Sequence, residues 1–308
     1  SLVNAQHVHP HHPINMASSQ GFQGLTLDTI NQNVRHMKYA VRGRMVQMAG
    51  EYSTKLKSGD TSLPFKEVTF CNIGNPHALK QQPLTFFRQV LACCVCPELL
   101  TSAADFPQDV KDRATAILAE TNGNGLGAYS MSRGLLSIRQ SVCAYLKDRD
   151  GITFDPEHIY LTNGASDGIA KFLNLVIASP NDGVMIPIPQ YPLYSATIAG
   201  LGGTQVSYYL DEKNNWALGV PELKRSLAEA RAKGINVKAL CVINPGNPTG
   251  ANLSKQNLKE ICEFAKEEKL VLLADEVYQT NIYLEGDTFV SMRKALAESS
   301  GADSVCMA

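Results

Sequence analysis

The chain has 308 residues, of which 44% are hydrophobic, and its 28 lysines and arginines nearly balance 29 acidic residues, for a net charge of -1. A single core of ordinary size does not accommodate that length, so one large domain with a smaller one is expected. Near-neutral charge leaves no broad basic field for nucleic acid or an anionic membrane, and no run of apolar residues reaches bilayer length, so the expected partner is a small molecule.

The chain opens with HVHPHHP, where His7, His9, His11 and His12 stand among prolines. A proline-broken tract does not fix a coordination geometry, so residues 1–27 are expected to be a disordered leader rather than a metal site. Met16, followed by Ala17, Ser18 and Ser19, reads as a natural start. No signal-peptide core precedes it, and residues 1–30 lack the arginines of a transit peptide, so the cytosol is the expected compartment, with mitochondrion and peroxisome left open. The cysteine cluster Cys93, Cys94 and Cys96 has no second pair at zinc spacing and lies in the helical FFRQVLACCVCPELL, which predicts free, buried thiols in a reducing environment.

Residues 28–57 carry a helical apolar spacing through Ile30, Val34, Met37, Val41, Met45 and Met48. Further helices fit 84–100, 107–119 and 134–148, separated by Ser58 to Thr61, the CNIGNPHALKQQP loop and the glycine-rich TNGNGLGAY. Residues 28–120 are therefore read as an N-terminal arm with part of a smaller helical and mixed domain. Residues 121–308 are read as a large domain that is incomplete at its C-terminal side.

From about His158 the pattern alternates. The strand-like HIYLT, GVMIPI, TQVSYY, VKALCVI and KLVLLA are each followed by a helical or turn segment. This predicts an α/β fold with a mostly parallel sheet and helices on both faces. There is no internal repeat and no low-complexity linker. In such sheets ligands bind beyond the carboxyl ends of the strands, so the residues after each strand are the candidates.

KLVLLA ends on Asp275 and Glu276, and carboxylates at the edge of an apolar core need a cationic or hydrogen-bonding partner. After HIYLT, the small residues Gly164, Ala165, Ser166 and Asp167 lead into a helix, which is either an anion site or an ordinary N-cap. NPGNPTG, residues 244–250, presents Asn247 either as an amide donor or as a plain Asn-Pro turn. PQYPLYS presents Tyr191 either to a flat ring or to the core. Together with Tyr278, these suit a flat, phosphorylated, basic heteroaromatic. The sequence holds no GxxxxGK[ST], no GxGxxG after a strand and no HExxH.

The strings GAYSMSRG (127–134), YLTNGASDG (160–168), IPIPQYPLYSA (186–196), VINPGNPTG (242–250) and LLADEVYQ (272–279) resemble, in order, the pyridoxal-phosphate aminotransferases of fold type I. LPFKEVTFCNIGNPHALKQQPLTFFRQVL (63–91), PQYPLYSATIA and ADEVYQTNIY are similar to the alanine aminotransferase subgroup, which includes glutamate:glyoxylate aminotransferases. The resemblance implies pyridoxal 5'-phosphate as cofactor, with an amino acid and a 2-oxo acid as substrates, and a homodimer. It implies that Asp275 pairs with the pyridinium nitrogen, Asn247 and Tyr278 bond the phenolic oxygen, and Tyr191 stacks on the ring. It further implies that Ala165 and Ser166 cradle the phosphate, that Tyr129 reaches a phosphate across the dimer interface, and that Gly74 approaches the substrate carboxylate. Glu276 matches no family role and is expected to face a structural partner.

The family's Schiff-base lysine follows the aspartate by several tens of residues, in an SxSK context, and its carboxylate-binding arginine lies further on. After Asp275 this sequence holds one lysine, Lys294, in SMRKALAES, which matches no such motif. The catalytic lysine is therefore expected beyond residue 308, the chain is expected to be a fragment, and little turnover is expected of it alone. A non-catalytic cofactor-binding or dimerising protein, or another fold-type I enzyme such as a C–S lyase, is the alternative reading.

Overall fold

A computed structural model describes residues 24–121 and 125–299. Of the leader expected over residues 1–27, residues 1–23, with its histidines, lie outside the described residues.

Four strands form one sheet: β1 (Asp182–Ile188), β2 (Thr204–Tyr209), β3 (Asn236–Ile243) and β4 (Val271–Asp275), in the order β2-β1-β3-β4. All three pairings are parallel. The central strands β1 and β3 are apolar on both faces, as a parallel sheet covered on two sides requires, with six of the seven β1 residues buried, whereas the edge strand β2 buries only Val206 and Tyr208.

The residues before the sheet form α1 (Gln32–His36), α2 (Arg44–Lys57), α3 (Thr85–Val95), α4 (Leu99–Ser102), α5 (Gln108–Glu120) and α6 (Leu136–Asp150). From α7 (Ala165–Val176) onward, helices alternate with strands: α8 (Leu193–Leu201), α9 (Val220–Ala232), α10 (Lys255–Glu267) and α11 (Met292–Ala297). One sheet face packs Val184, Ile186 and Cys241 against Leu173 of α7 and Tyr194 and Ile198 of α8. The other packs Met185, Leu240 and Leu272 against Leu227 of α9, Phe264 of α10 and Leu296 of α11. Each fully buried side chain of this size stabilises the fold by roughly 1.5–3 kcal/mol. A separate cluster, Val90, Cys93, Cys94, Val110 and Ala114, joins α3 to α5. The seven described cysteines are all free, with Cys71 and Cys96 exposed. No helix among the described residues is long and apolar enough to cross a membrane.

Three sequence expectations are corrected. The helix expected over 84–100 breaks at Cys96, which caps α3 with non-helical backbone (φ -129°, ψ 85°) and is exposed, whereas Cys93 and Cys94 are free and buried as expected. The helical pattern over 28–57 is interrupted after α1, where Met37 is extended (φ -62°, ψ 130°), and resumes at α2. HIYLT forms no strand. Leu161 N–H donates to Arg133 O, Tyr160 is exposed, and no neighbour among the described residues offers a ladder. Alternating apolarity makes a segment fit for a sheet, but pairing makes it a strand.

The strand order positions the site. From β1 the chain crosses to β2 on one side, and β3 then returns to the other side of β1. The order therefore reverses between β1 and β3, and a crevice at the carboxyl ends of these strands is where such sheets hold ligands.

Candidate active site

β4 ends on Asp275, which pairs in register with Ile243, the last residue of β3. The loop leaving β3 continues this pairing, since Asn244 N–H donates to Asp275 O at 2.9 Å. Asp275 turns its carboxylate into the structure. The Tyr194 hydroxyl donates to Oδ2 at 2.6 Å, and Val277 N–H donates to Oδ1 at 3.3 Å. Tyr194 is completely buried, and burial pushes its phenol far above the ordinary range, so it remains a protonated donor.

Tyr191 lies one turn before Tyr194, where Tyr194 N–H donates to Tyr191 O at the start of α8. The same short segment thus carries the tyrosine that holds Asp275 and the one read as a stacking face. Tyr191 is half-buried, and its hydroxyl shares a 2.6 Å hydrogen bond with the hydroxyl of Tyr39. Asn247 is also half-buried; together with Pro189 and Gly246 it lines a small cavity between the loops after β1 and β3. Two buried polar atoms in these loops, Gln190 Oε1 and Asn244 Nδ2, have no hydrogen-bond partner among the described residues.

α7 starts at Ala165 after Gly164, which has φ +80°, and no side chain caps it. Asp167, one candidate cap, instead accepts from Asn163 N–H at 3.2 Å and pairs with Lys171. The N–H groups of exposed Ala165 and Ser166 are thus left open, as an anion site needs. Open space also lies where a Cβ of Gly164 would stand. Tyr278, in the turn after β4, is 40% exposed. Gly74 lies in an exposed loop, and Tyr129 is fully exposed.

Glu276 faces away from these groups. Its Oε1 accepts from Met292 N–H at 2.6 Å, and Oε2 stands 3.9 Å from Arg149, which itself forks onto Asp150. Burial is the largest influence on Glu276 and raises its carboxyl to about 7, against the pull of Met292 N–H and Arg149.

The arrangement suits pyridoxal 5'-phosphate. A hydrogen-bonded carboxylate, an aromatic side chain, an amide and uncapped helical N–H groups all lie on segments adjoining the sheet's carboxyl end. The donor set matches a cationic ring nitrogen, a ring face, a phenolic oxygen and a phosphate. No group of three or more His, Cys, Asp or Glu able to hold a metal occurs among the described residues. Tyr194 and Tyr39 were not legible as site residues in the sequence. Tyr194 carried a weak signal, a second tyrosine one helical turn after Tyr191.

The chain is 51% identical over 279 residues to glutamate–glyoxylate aminotransferase 1 of Arabidopsis thaliana, covering 90% of this chain and 56% of that protein. It is 51% identical over 278 residues to human (Homo sapiens) alanine aminotransferase 1, covering 89% and 55% respectively. It therefore spans about half the length of these curated relatives. Among solved structures, an aminotransferase from Escherichia coli superposes with a TM-score of 0.63 at 25% identity, covering 86% of this chain and 54% of that one. The sequence profile described as "Aminotransferase class I and II" matches residues 98–305, which contain the whole sheet and the Asp275 carboxylate. The chain belongs to the class I and II aminotransferase family.

Proposed function

We propose that the chain forms the cofactor pocket of an alanine aminotransferase-like enzyme, which moves an amino group between L-alanine and a 2-oxo acid, 2-oxoglutarate or glyoxylate. The observation that carries this reading is the Asp275 carboxylate at the end of β4, held by buried Tyr194 and Val277 N–H beside the loops of Tyr191 and Asn247. The choice of amino donor and acceptor rests on the similarity to alanine and glutamate–glyoxylate aminotransferases.

When bound, pyridoxal 5'-phosphate supplies a carbonyl that takes up the amino group and a ring that withdraws electrons from the substrate's α carbon. Asp275 keeps a proton on the ring nitrogen, and Tyr194 holds the carboxylate for that task. Tyr191 covers the ring face and excludes water from it. The Asn247 amide and the Tyr278 hydroxyl donate to the phenolic oxygen. The N–H groups of Ala165 and Ser166, with the Ser166 hydroxyl, take the phosphate at the start of α7. The Gly74 backbone approaches the substrate carboxylate.

Fully exposed Tyr129 is assigned to the phosphate of a second copy, which makes the assembly a homodimer. The division at about residue 121 belongs to the same reading, since the α3–α5 helices carry their own apolar cluster. A cytosolic location fits the described cysteines, all of which are unpaired.

Titration of the chain with pyridoxal 5'-phosphate and pyridoxamine 5'-phosphate tests the pocket. Saturable binding of both is expected, with little or no turnover of alanine and 2-oxoglutarate, because no lysine after Asp275 matches the family's cofactor-binding motif. Failure to bind either compound would remove the assignment. Robust turnover would show that another group does the lysine's work.

A further inference from the structure

Segment 31–42 is tied to α8 and to Tyr191 before it, and also to the NIGNP loop. α1 packs against α8, and the C-terminal end of α8 lacks side chains where the segment comes closest. A Cβ on Gly200 would stand 3.2 Å from Met37 Sδ, and one on Gly202 would stand 2.6 Å from Asn33 Nδ2. The extended backbone at Met37 then ends α1 and sends the chain across the start of α8. There Tyr39 meets Tyr191, with the hydroxyls 2.6 Å apart, the ring centroids 6.3 Å apart and the ring planes at 76°. Two residues on, Val41 O accepts from Asn72 Nδ2 at 3.0 Å. Asn72 belongs to the NIGNP loop that carries Gly74. A continuous series of contacts therefore runs from the Tyr191 ring through Tyr39 and Val41 to the loop assigned to the substrate carboxylate.

We propose that Tyr39 is a positioning residue for Tyr191: its hydroxyl and edge-on ring set the tilt of the ring that covers the cofactor, and its segment couples that ring to the Asn72–Gly74 loop. The inference rests on the functional reading above and adds to it an N-terminal contribution to the ring face. A phenol hinged at its own Cβ swings freely in a half-open site. One polar contact at its far end, together with an edge-to-face neighbour, removes that freedom before the ligand arrives. Tyr39 remains the neutral partner at physiological pH, because burial, followed by its bond to Tyr191, raises its phenol to about 12.

Tyr39→Phe deletes the hydroxyl and keeps the ring; Tyr191→Phe removes the same bond from the other side. Affinities for pyridoxamine 5'-phosphate and for inorganic phosphate are measured by fluorescence titration of the full chain, with the induced circular dichroism of the bound pyridoxamine compound as a second readout. Each single variant is expected to bind pyridoxamine 5'-phosphate roughly 3- to 10-fold more weakly, the range for one neutral hydrogen bond. Inorganic phosphate affinity should be unchanged, and the double variant should lose no more than either single one. The induced dichroism should change in both. Equal affinity in Tyr39→Phe and the unaltered chain, additive losses in the double variant, or parallel losses for inorganic phosphate would overturn the proposal. If the unaltered chain fails to bind pyridoxamine 5'-phosphate, the functional reading falls and this one with it. If Tyr39→Phe does not fold, Tyr191→Phe decides the question alone.

Discussion

The hydroxyl of Tyr194, in the first turn of α8, donates at 2.6 Å to Oδ2 of Asp275, the last residue of β4. Because Tyr194 is fully buried and its phenol is held protonated by that burial, the bond fixes one face of the carboxylate from inside the core. Tyr194→Phe keeps the packing volume and leaves Oδ2 without that donor. Bonds to a carboxylate are worth more than neutral ones, so pyridoxamine 5'-phosphate should bind roughly 10-fold more weakly. Fluorescence titration checks this, and an unchanged affinity would separate Tyr194 from the site.

Asp275→Asn keeps the size of the side chain and removes its charge. On the proposed reading a cationic ring nitrogen loses its counter-charge, whereas the proposed phosphate site at α7 is untouched. Pyridoxamine 5'-phosphate affinity should therefore fall by more than in Tyr194→Phe, while affinity for inorganic phosphate stays constant. A loss in both would mean that the substitution has collapsed the crevice rather than unpaired the ring.

Glu276 gives stability a pH dependence. Its folded-state carboxyl is raised to about 7, so the folded chain binds a proton that the unfolded chain has already released. The contribution is fully present below the ordinary glutamate range and is lost as pH rises through about 7, which amounts to on the order of 2–3 kcal/mol. Glu276→Gln retains an acceptor for Met292 N–H and has no proton to lose. Urea unfolding at pH 5 and pH 8 should show a smaller fall in stability with pH for the variant than for the unaltered chain. Equal slopes would exclude Glu276 as the titrating group.

Gly202 ends α8 in the left-handed region, with φ +76°, and faces Asn33. Gly202→Ala places a Cβ in a conformation that favours glycine and displaces the flexible end of Asn33. A loss of about 1 kcal/mol is expected. Thermal unfolding measures it, and a gain in stability would show that segment 31–42 is not seated on this end of α8.

Much of the fold was legible locally. Short apolar or alternating runs marked β1 to β4, with Gly or Pro close by for β1 and β3, and helical segments were expected after them. HIYLT shows the limit, because its composition suits a strand and no neighbour among the described residues pairs with it. The break after α1 was hidden for a similar reason. Met37 continues the apolar spacing, yet the chain leaves the helix there, and Tyr39 lies on Tyr191.

At the candidate site, a strand end, a proline turn and a helix start singled out Asp275, Tyr191, Asn247 and Ala165–Ser166 as residues beyond the strands, but those local features left a plain turn, core packing and an ordinary N-cap open, and only the family resemblance assigned the roles. Glu276 beside Asp275 was expected to have a structural partner, and the structure supplies Met292 N–H and Arg149. By itself the sequence determined the succession of strands and helices and the chemistry presented at their ends, because periodicity and backbone punctuation act over a few residues. Only the tertiary structure decided the strand order β2-β1-β3-β4 and the bonds from Tyr194 to Asp275 and from Tyr39 to Tyr191. These last two join residues 81 and 152 positions apart, and contacts of that range exist only once the helices have packed on the sheet.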